Sequence, residues 1–149
     1  EQIRSLSPLP PLAVTLVLPD LTVPNKTAAM YSKLTLGHFS DGGVTRQMIQ
    51  LLTAGQFVRE SVSGLVFNTF SEVALWSYPE LLAMCSKVAE QGGPVMHLCG
   101  AGPALFTLPS SEEEHQWIAE LLQPHSAGVY LVSTIPPEKC GVGLLPLSS

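Results

Sequence analysis

The apolar run from Leu12 to Leu18 constrains the fold of this chain more than any other segment. Thr15 is its only polar residue, and three of its seven residues, Val14, Thr15 and Val17, are β-branched. A short, almost continuous apolar run of this kind is typical of a strand in the middle of a sheet. Pro19 and Asp20 then end it. We therefore expect a sheet with this strand at its centre.

Residues able to cap a helix precede apolar stripes at five places after this run, and each of them predicts a helix start. These residues are Asn25, Asp41, Thr69, Ser77 and Ser111. The predicted helices include 27–34, 44–52 and 79–91, the last with Pro79 in its first turn. The final cap opens a helix with a buried stripe formed by Trp117, Ile118, Leu121 and Leu122.

Two short apolar runs, Val95–Leu98 and Ala104–Leu108, lie on either side of five residues rich in glycine. These five are Cys99, Gly100, Ala101, Gly102 and Pro103. The arrangement predicts two strands joined by a tight turn. We call residues 99–103 the glycine turn.

The last predicted strand is Gly128–Ile135, which completes the order strand, helices, strand, strand, helix, strand. With the helical block taken as one layer, this order is βαββαβ, the split βαβ arrangement. We expect an α+β, ferredoxin-like domain over residues 12–135, with helices on one face of a four-stranded antiparallel sheet. An extended lead-in (1–11) would precede it and a loose tail (136–149) would follow.

The charge of the chain is low and unevenly placed. Charged residues make up 13% of the sequence, against an average near 25%, so we expect apolar surface that a partner covers. The 7 Lys and Arg are scattered, which excludes a nucleic-acid partner because duplex binding needs clustered bases. The acids concentrate in Glu112, Glu113 and Glu114, where they complement the positive end of a helix. The sequence lacks an apolar run long enough for a transmembrane helix.

Cysteine and histidine spacing argues against a disulfide framework and against a metal site. Cys85, Cys99 and Cys140 are an odd number, far apart, without a Cys-x-x-Cys pair. This usage favours a reducing cytoplasm. His38 and His125 have no metal-ligand spacing with each other or with the acids.

Three local features could form a site, and each has a structural alternative. The glycine turn could bring backbone N–H groups to an anion, or could simply connect a hairpin. Thr27 and Tyr31 share a helix face and could bind a planar polar ligand, or Tyr31 could pack under the sheet. Cys99 could be a nucleophile with His97 or His115 as its base, although a structural cysteine is the commoner case.

Three segments in a fixed order resemble a known family. They are Thr22–Tyr31, then Phe67–Glu72 with Tyr78–Leu81, then Leu98–Phe106. In this order and spacing they resemble the C-terminal half of the 4-diphosphocytidyl-2-C-methyl-D-erythritol kinases, which belong to the GHMP kinases. The resemblance extends roughly over residues 12–135.

The resemblance implies a substrate-side domain with the ferredoxin-like fold already expected. The full enzymes of this family use ATP and Mg²⁺ to phosphorylate a hydroxyl group in non-mevalonate isoprenoid synthesis. Their catalytic residues lie in an N-terminal domain that this chain lacks. We therefore expect no catalytic residue and no metal ligand here, and an inactive chain that binds neither ATP nor Mg²⁺ alone. The implied partners are the missing domain and a small-molecule substrate, in the cytoplasm.

The resemblance also implies roles for particular residues. The glycine turn matches a motif beside the ATP phosphates, where the family usually has Ser-Gly-Ser-Gly. Thr27 and Tyr31 match a hydroxyl and an aromatic position that line the substrate side near the cytosine. Asn68 matches a recurrent asparagine, for which we expect a structural role, and Lys26 stands where serine is usual. The alternative is a non-catalytic ferredoxin-like module for ligand binding or for assembly as a homodimer.

Overall fold

The computed structural model describes Leu6 and residues 9–135 of the 149-residue chain. The predicted tail and most of the predicted lead-in lie outside the described residues. The strands are β1 (Ala13–Pro19), β2 (His97–Leu98), β3 (Leu105–Thr107) and β4 (Ser126–Ser133). The α-helices are α1 (Lys26–Tyr31), α2 (Gly43–Thr53), α3 (Arg59–Ser63), α4 (Ser71–Ser77), α5 (Pro79–Glu90) and α6 (Glu112–Leu122). Leu36–His38 and Gln123–His125 form short 3₁₀ turns.

The four strands form one antiparallel sheet in the order β2-β3-β1-β4. Thr15 of β1 pairs with Thr107 of β3 on one side and with Leu131 of β4 on the other. This is the strand order of a split βαβ domain, so the expected α+β ferredoxin-like fold is confirmed. β1 lies inside the sheet because it pairs with β3 along one edge and with β4 along the other.

Several element boundaries differ from the predicted ones. β4 begins and ends two residues before the predicted Gly128–Ile135. α1 is shorter than the predicted 27–34 and ends at Tyr31. Its last turn tightens, because the N–H groups of Lys33 and Leu34 bond the carbonyls three residues earlier, each at 3.2 Å. Such i→i+3 bonds commonly end a helix.

Three of the predicted helix starts are confirmed. The Ser111 hydroxyl accepts a hydrogen bond from the Glu114 N–H at 3.2 Å, which caps α6. The Asp41 carboxylate accepts one from the N–H of Gly43, the first residue of α2, at 2.7 Å. Pro79 occupies the first position of α5, where its missing N–H costs nothing.

Three of the five predicted capping residues make no capping bond from their side chains. Asn25 occupies the N-cap position of α1, as predicted, but its backbone is left-handed, with φ +47°, and its side chain makes no capping bond. Phe70 and not Thr69 occupies the N-cap position of α4, and the Phe70 N–H donates to Asn68 Oδ1 at 2.9 Å. Ser77 is the last residue of α4, so it cannot adopt the extended backbone of an N-cap.

The core lies on one face of the sheet, between the sheet and four helices. Val17, Leu98 and Leu105 supply the strand side of this core. The helical side comes from α1, α4, α5 and α6 through Met30, Val73, Ala74, Leu81, Met84, Val88, Ile118 and Leu122. The buried stripe of α6 includes Ile118 and Leu122, with Trp117 and Leu121 packed at its edge, as predicted.

The opposite face of the sheet is only partly covered. His97 alternates with Leu98 along β2, so its ring projects from this second face. The Ser63 hydroxyl of α3 lies 3.3 Å from His97 Nε2, which places α3 over the β2 side. Over the β4 side, Tyr130 and Val132 stay exposed. α2 also keeps its apolar stripe only half-buried, since none of its residues is buried.

Within the described part of the chain, none of the helices combines the length and apolar character needed to cross a bilayer. Cys85 and Cys99 carry free thiols, and Cys140 lies outside the described residues. Nowhere in residues 9–135 do three or more histidine, cysteine or acidic side chains form a group that could bind a metal ion.

Candidate functional site

The glycine turn joins β2 to β3 and depends on both of its glycines. Cys99 donates its N–H to Ala104 O, and Gly102 donates its N–H to Cys99 O, both at 2.8 Å. Gly100 and Gly102 have φ values of +53° and +76°, a left-handed backbone that favours glycine. A Cβ at Gly102 would also lie 3.0 Å from Leu98 Cδ1, whereas one at Gly100 would meet nothing within 4 Å.

The turn leaves two backbone donors free. Two of its carbonyl groups are engaged, since Gly100 O accepts from Asn68 and Cys99 O accepts from Gly102. The N–H groups of Gly100 and Ala101 have no acceptor among the residues that the structure describes. Unpaired N–H groups in a left-handed turn are the arrangement that attracts an anion.

Asn68 ties this turn to the start of α4. Its Nδ2 donates to Leu98 O at 2.9 Å and to Gly100 O at 2.8 Å. Its Oδ1 accepts the N–H of Phe70 at 2.9 Å. The expected structural role of Asn68 therefore has a concrete form, because one carboxamide serves both the turn and the helix start.

Thr27 and Tyr31 both point outward from α1. Tyr31 is 62% exposed, although its buried neighbour Met30 belongs to the core. The Tyr31 ring meets the Phe70 ring edge-on, with a centroid distance of 5.0 Å and an interplanar angle of 82°. Packing of Tyr31 under the sheet is therefore not found, and one ring face is free to stack on a planar ligand.

The helix α1 and the glycine turn lie at the same end of the sheet. Val17 pairs with Leu105, and Leu105 pairs with Leu98, so the turn begins level with the end of β1. The chain leaves β1 from that same end and enters α1. Phe70, which contacts Tyr31, is two residues from Asn68, which bonds the turn. The structure thus brings the two predicted site segments to one end of the sheet, with the start of α4 between them.

Cys99 lacks the surroundings of a nucleophile. Burial raises the pKa of its thiol, which keeps the thiol neutral. His97 instead contacts Ser63 and the Phe106 ring, whose centroid lies 5.3 Å away. His115 Nδ1 hydrogen-bonds the Thr15 hydroxyl at 3.0 Å. Neither histidine hydrogen-bonds Cys99 within the described residues, so the geometry gives the cysteine-nucleophile hypothesis no base.

The remaining polar candidates have local partners. His38 Nδ1 accepts the Thr35 N–H at 2.8 Å. His125 Nε2 lies 3.2 Å from the Lys87 ammonium group. The three acids lie in the first turn of α6, where a hydrogen bond with Ser111 lowers the pKa of Glu113. The three acids therefore lie at the positive end of α6, as predicted.

Comparison with known proteins identifies the family of this fold. A 4-diphosphocytidyl-2-C-methyl-D-erythritol kinase of Dehalococcoides mccartyi strain BAV1 is 34% identical over 138 residues, which are 90% of this chain and 47% of that relative. The match falls on the C-terminal half of the relative. The chain matches the C-terminal half of the 4-diphosphocytidyl-2-C-methyl-D-erythritol kinases. No protein-family model matches it.

Solved structures of GHMP kinases share the fold. A 4-(cytidine 5'-diphospho)-2C-methyl-D-erythritol kinase superimposes with a TM-score of 0.63 and 21% identity, over 84% of this chain and 43% of that one. The mevalonate kinase of L. major gives a TM-score of 0.60 and 13% identity, over 90% and 45%. The chain therefore spans about half the length of the relatives in this kinase family that it matches.

Several large apolar side chains are exposed on α1, on α4 and in the segments between these helices. They are Tyr31, Leu36, Phe39, Phe67 and Trp76, and we call them the apolar surface. Residues of the Leu36–His38 turn and Phe67 line one shallow groove, which also reaches Glu72 of α4. Exposed apolar side chains, as expected from the low charge, are thus present near α1. Others lie elsewhere, including Val58, Val95 and three residues of β4.

The pH dependence of stability should include a contribution from His97. Burial lowers the pKa of His97 in the folded chain below its ordinary value of 6.5. The unfolded chain therefore binds more protons than the folded chain below that pH. The contribution of His97 to the free energy of unfolding is present above about pH 6.5 and is lost as the pH falls. Urea unfolding between about pH 7.5 and about pH 5.5 should show a steeper loss in the wild type than in His97→Gln, by up to about 1.4 kcal/mol per pH unit. Equal slopes would contradict this assignment.

Proposed function

We propose that this chain is the C-terminal, substrate-side domain of an ATP-dependent kinase that phosphorylates a hydroxyl of 4-diphosphocytidyl-2-C-methyl-D-erythritol. One observation carries the proposal. The exposed pair of Thr27 and Tyr31 lies at the same end of the sheet as the glycine turn with its unpaired N–H groups, in a chain similar to these kinases. The reaction would be a step of non-mevalonate isoprenoid synthesis. The free thiols of Cys85 and Cys99 support a reducing cytoplasm as its location.

The glycine turn would contact the phosphates of ATP through its backbone. The residues present fit this role, since Gly100 is exposed and its N–H and that of Ala101 are unpaired. Cys99 and Ala101 offer no hydroxyl, so the contacts would come from N–H groups alone. Mg²⁺ would arrive with the nucleotide, because residues 9–135 contain no group of metal-ligating side chains.

Thr27 and Tyr31 would bind the acceptor substrate. The free face of the Tyr31 ring suits a cytosine base, because stacking on an aromatic ring is favourable for any base. Thr27 lies one helical turn earlier on the same face, where its hydroxyl can donate to or accept from the same ligand. A planar ring and a nearby hydroxyl are what a nucleotide-linked substrate requires.

The partner would be the N-terminal half found in the relatives. Phosphoryl transfer depends on positioning and on neutralising phosphate charge, and this chain supplies positioning groups without a catalytic residue. We therefore expect the chain alone to be inactive. The apolar surface beside α1 would be covered by that other half. The exposed side chains of β4 would instead suit a homodimer.

The test joins this chain to the N-terminal half of the Dehalococcoides mccartyi kinase. The hybrid should phosphorylate the cytidyl substrate with ATP, and the chain alone should not. In the hybrid, Tyr31→Ala should raise KM for the substrate by about tenfold, the loss expected for one stacked base. Steady-state kinetics with the purified substrate measures both effects.

Tyr130→Ala is the matched control for this experiment. Tyr130 is a half-exposed tyrosine on β4, away from α1, and its loss should leave KM unchanged. Turnover by the chain alone at an ordinary enzyme rate would contradict the proposal. A folded hybrid without activity, beside an active parent kinase, would favour a non-catalytic binding or dimerisation module.

A further inference from the structure

A continuous set of contacts runs from α1 to the glycine turn. The Tyr31 ring contacts the Phe70 ring at 5.0 Å. The Phe70 N–H donates to Asn68 Oδ1 at 2.9 Å, and Asn68 Nδ2 donates to Gly100 O at 2.8 Å. Every polar group of the Asn68 side chain is therefore engaged, with its acceptor toward α4 and its donors toward the turn.

The bond to Gly100 O determines which way the turn presents its donors. A trans peptide is planar, and its C=O and N–H point in opposite directions. The carbonyl of Gly100 and the N–H of Ala101 belong to one peptide unit. With the carbonyl bonded to Asn68, the Ala101 N–H must point away from α4, and it has no acceptor among the described residues.

The same side chain secures the neighbouring peptide. Asn68 Nδ2 also donates to Leu98 O at 2.9 Å, and the N–H of that peptide unit, on Cys99, bonds Ala104 O at 2.8 Å. Two peptide units of the turn are thus oriented by one carboxamide. A backbone with two left-handed glycines has many other conformations, so such an external restraint is needed to favour this one.

We propose that Asn68 is a positioning residue that orients the glycine turn and couples it to the aromatic pair of Tyr31 and Phe70. Its role in phosphate binding rests on the function proposed above. A ligand stacked on Tyr31 presses on Phe70, whose N–H bonds the same carboxamide that orients Ala101. Occupancy at one segment therefore biases the conformation of the other, and the effect is reciprocal.

Asn68→Asp, made in the 149-residue chain, removes the hydrogen-bond donor of this side chain and keeps an acceptor. Aspartate still accepts the Phe70 N–H, but it cannot donate, and its charge faces two carbonyl oxygens. Hydrogen exchange measured by NMR should become about tenfold faster at the Cys99 and Gly102 amides, as expected for the loss of two hydrogen bonds. The Phe70 amide should keep its protection, which a general loss of stability would not allow.

Asn25→Asp is the matched control, because Asn25 is an exposed asparagine without a capping bond. It should leave exchange in the turn unchanged. The proposal would be overturned if the Cys99 and Gly102 amides of the Asn68→Asp chain exchanged as slowly as those of the wild type. It would also be overturned if exchange became faster by the same factor at Phe70 and in the turn.

Tyr31→Ala tests the coupling with a substitution on the surface. It removes a ring that contacts Phe70, and it should shift the amide signals of Gly100 and Ala101. Tyr130→Ala is the control and should not shift them. Unchanged turn signals in Tyr31→Ala would overturn the coupling, whatever the Asn68 variant does.

Titration with ATP distinguishes this inference from the proposed function. In the hybrid with the N-terminal half of the relative, ATP should move the amide signals of Gly100 and Ala101, and Asn68→Asp in the same hybrid should reduce that response. If ATP moves neither signal in the hybrid that carries the wild-type sequence, the phosphate role of the turn fails. The exchange rates and the Tyr31 variant then still decide whether Asn68 orients and couples the turn. If ATP moves the signals equally in both hybrids, Asn68 is not a positioning residue.

Discussion

Replacing Leu105 with alanine is expected to remove about 2–5 kcal/mol from the free energy of unfolding. Leu105 is 1% exposed and lies on β3, with Leu98 and Val17 as its cross-strand partners. Truncation therefore leaves a cavity between the sheet and the helices, and the neighbouring strands cannot close it. Since domains are stable by only about 5–15 kcal/mol, the loss should be plain in urea unfolding at 25 °C.

Leu36→Ala is the control for this effect. Leu36 is 91% exposed in a 3₁₀ turn, so the same truncation should change the free energy of unfolding by less than about 0.5 kcal/mol. Comparable losses in the two variants would mean that Leu105 does not lie in the core described above.

Gly102→Val is expected to destabilise the chain by about 2–5 kcal/mol. The left-handed backbone at φ +76° is unfavourable for a residue with a Cβ by about 1–2 kcal/mol. The new side chain would also press on Leu98, whose Cδ1 lies 3.0 Å from the Cβ position, and overpacking costs about 1–3 kcal/mol. Thermal or urea unfolding measures the sum.

Gly100→Val isolates the backbone contribution. Gly100 has a similar left-handed backbone, at φ +53°, but open space around its Cβ position. Gly100→Val should therefore lower the free energy of unfolding only by the cost of the left-handed backbone, about 1–2 kcal/mol. If both variants lose the same free energy, contact with Leu98 contributes nothing to the requirement for glycine at position 102.

The four strands could be predicted because each depends on a local pattern, and their order followed from the split βαβ arrangement of the elements. The run Leu12–Leu18 is apolar throughout, apart from Thr15, and two glycines mark the hairpin between β2 and β3. α3 could not be predicted, since its five residues have no clear periodicity and its place depends on contact with His97. The cap at Thr69 was misplaced because a four-residue capping motif does not reveal where the helix begins.

The candidate site was predictable in its parts but not in its assembly. The spacing of Thr27 and Tyr31 puts them on one helix face, and the structure shows both exposed. The bonds of Asn68 could not be foreseen, because their acceptors lie 30 and 32 residues further along the chain. Only tertiary packing brings that carboxamide to the glycine turn.

The central position of β1 has a consequence for how the chain folds during synthesis. β1 is translated first, but its partners β3 and β4 come from the last part of the domain. Even the bond from the Leu12 N–H to the Thr134 hydroxyl joins residues separated by 122 positions. Closing such long loops slows folding, and the apolar strand stays unpaired meanwhile. Until β4 has left the ribosome, β1 is therefore the segment of this domain most in need of a chaperone.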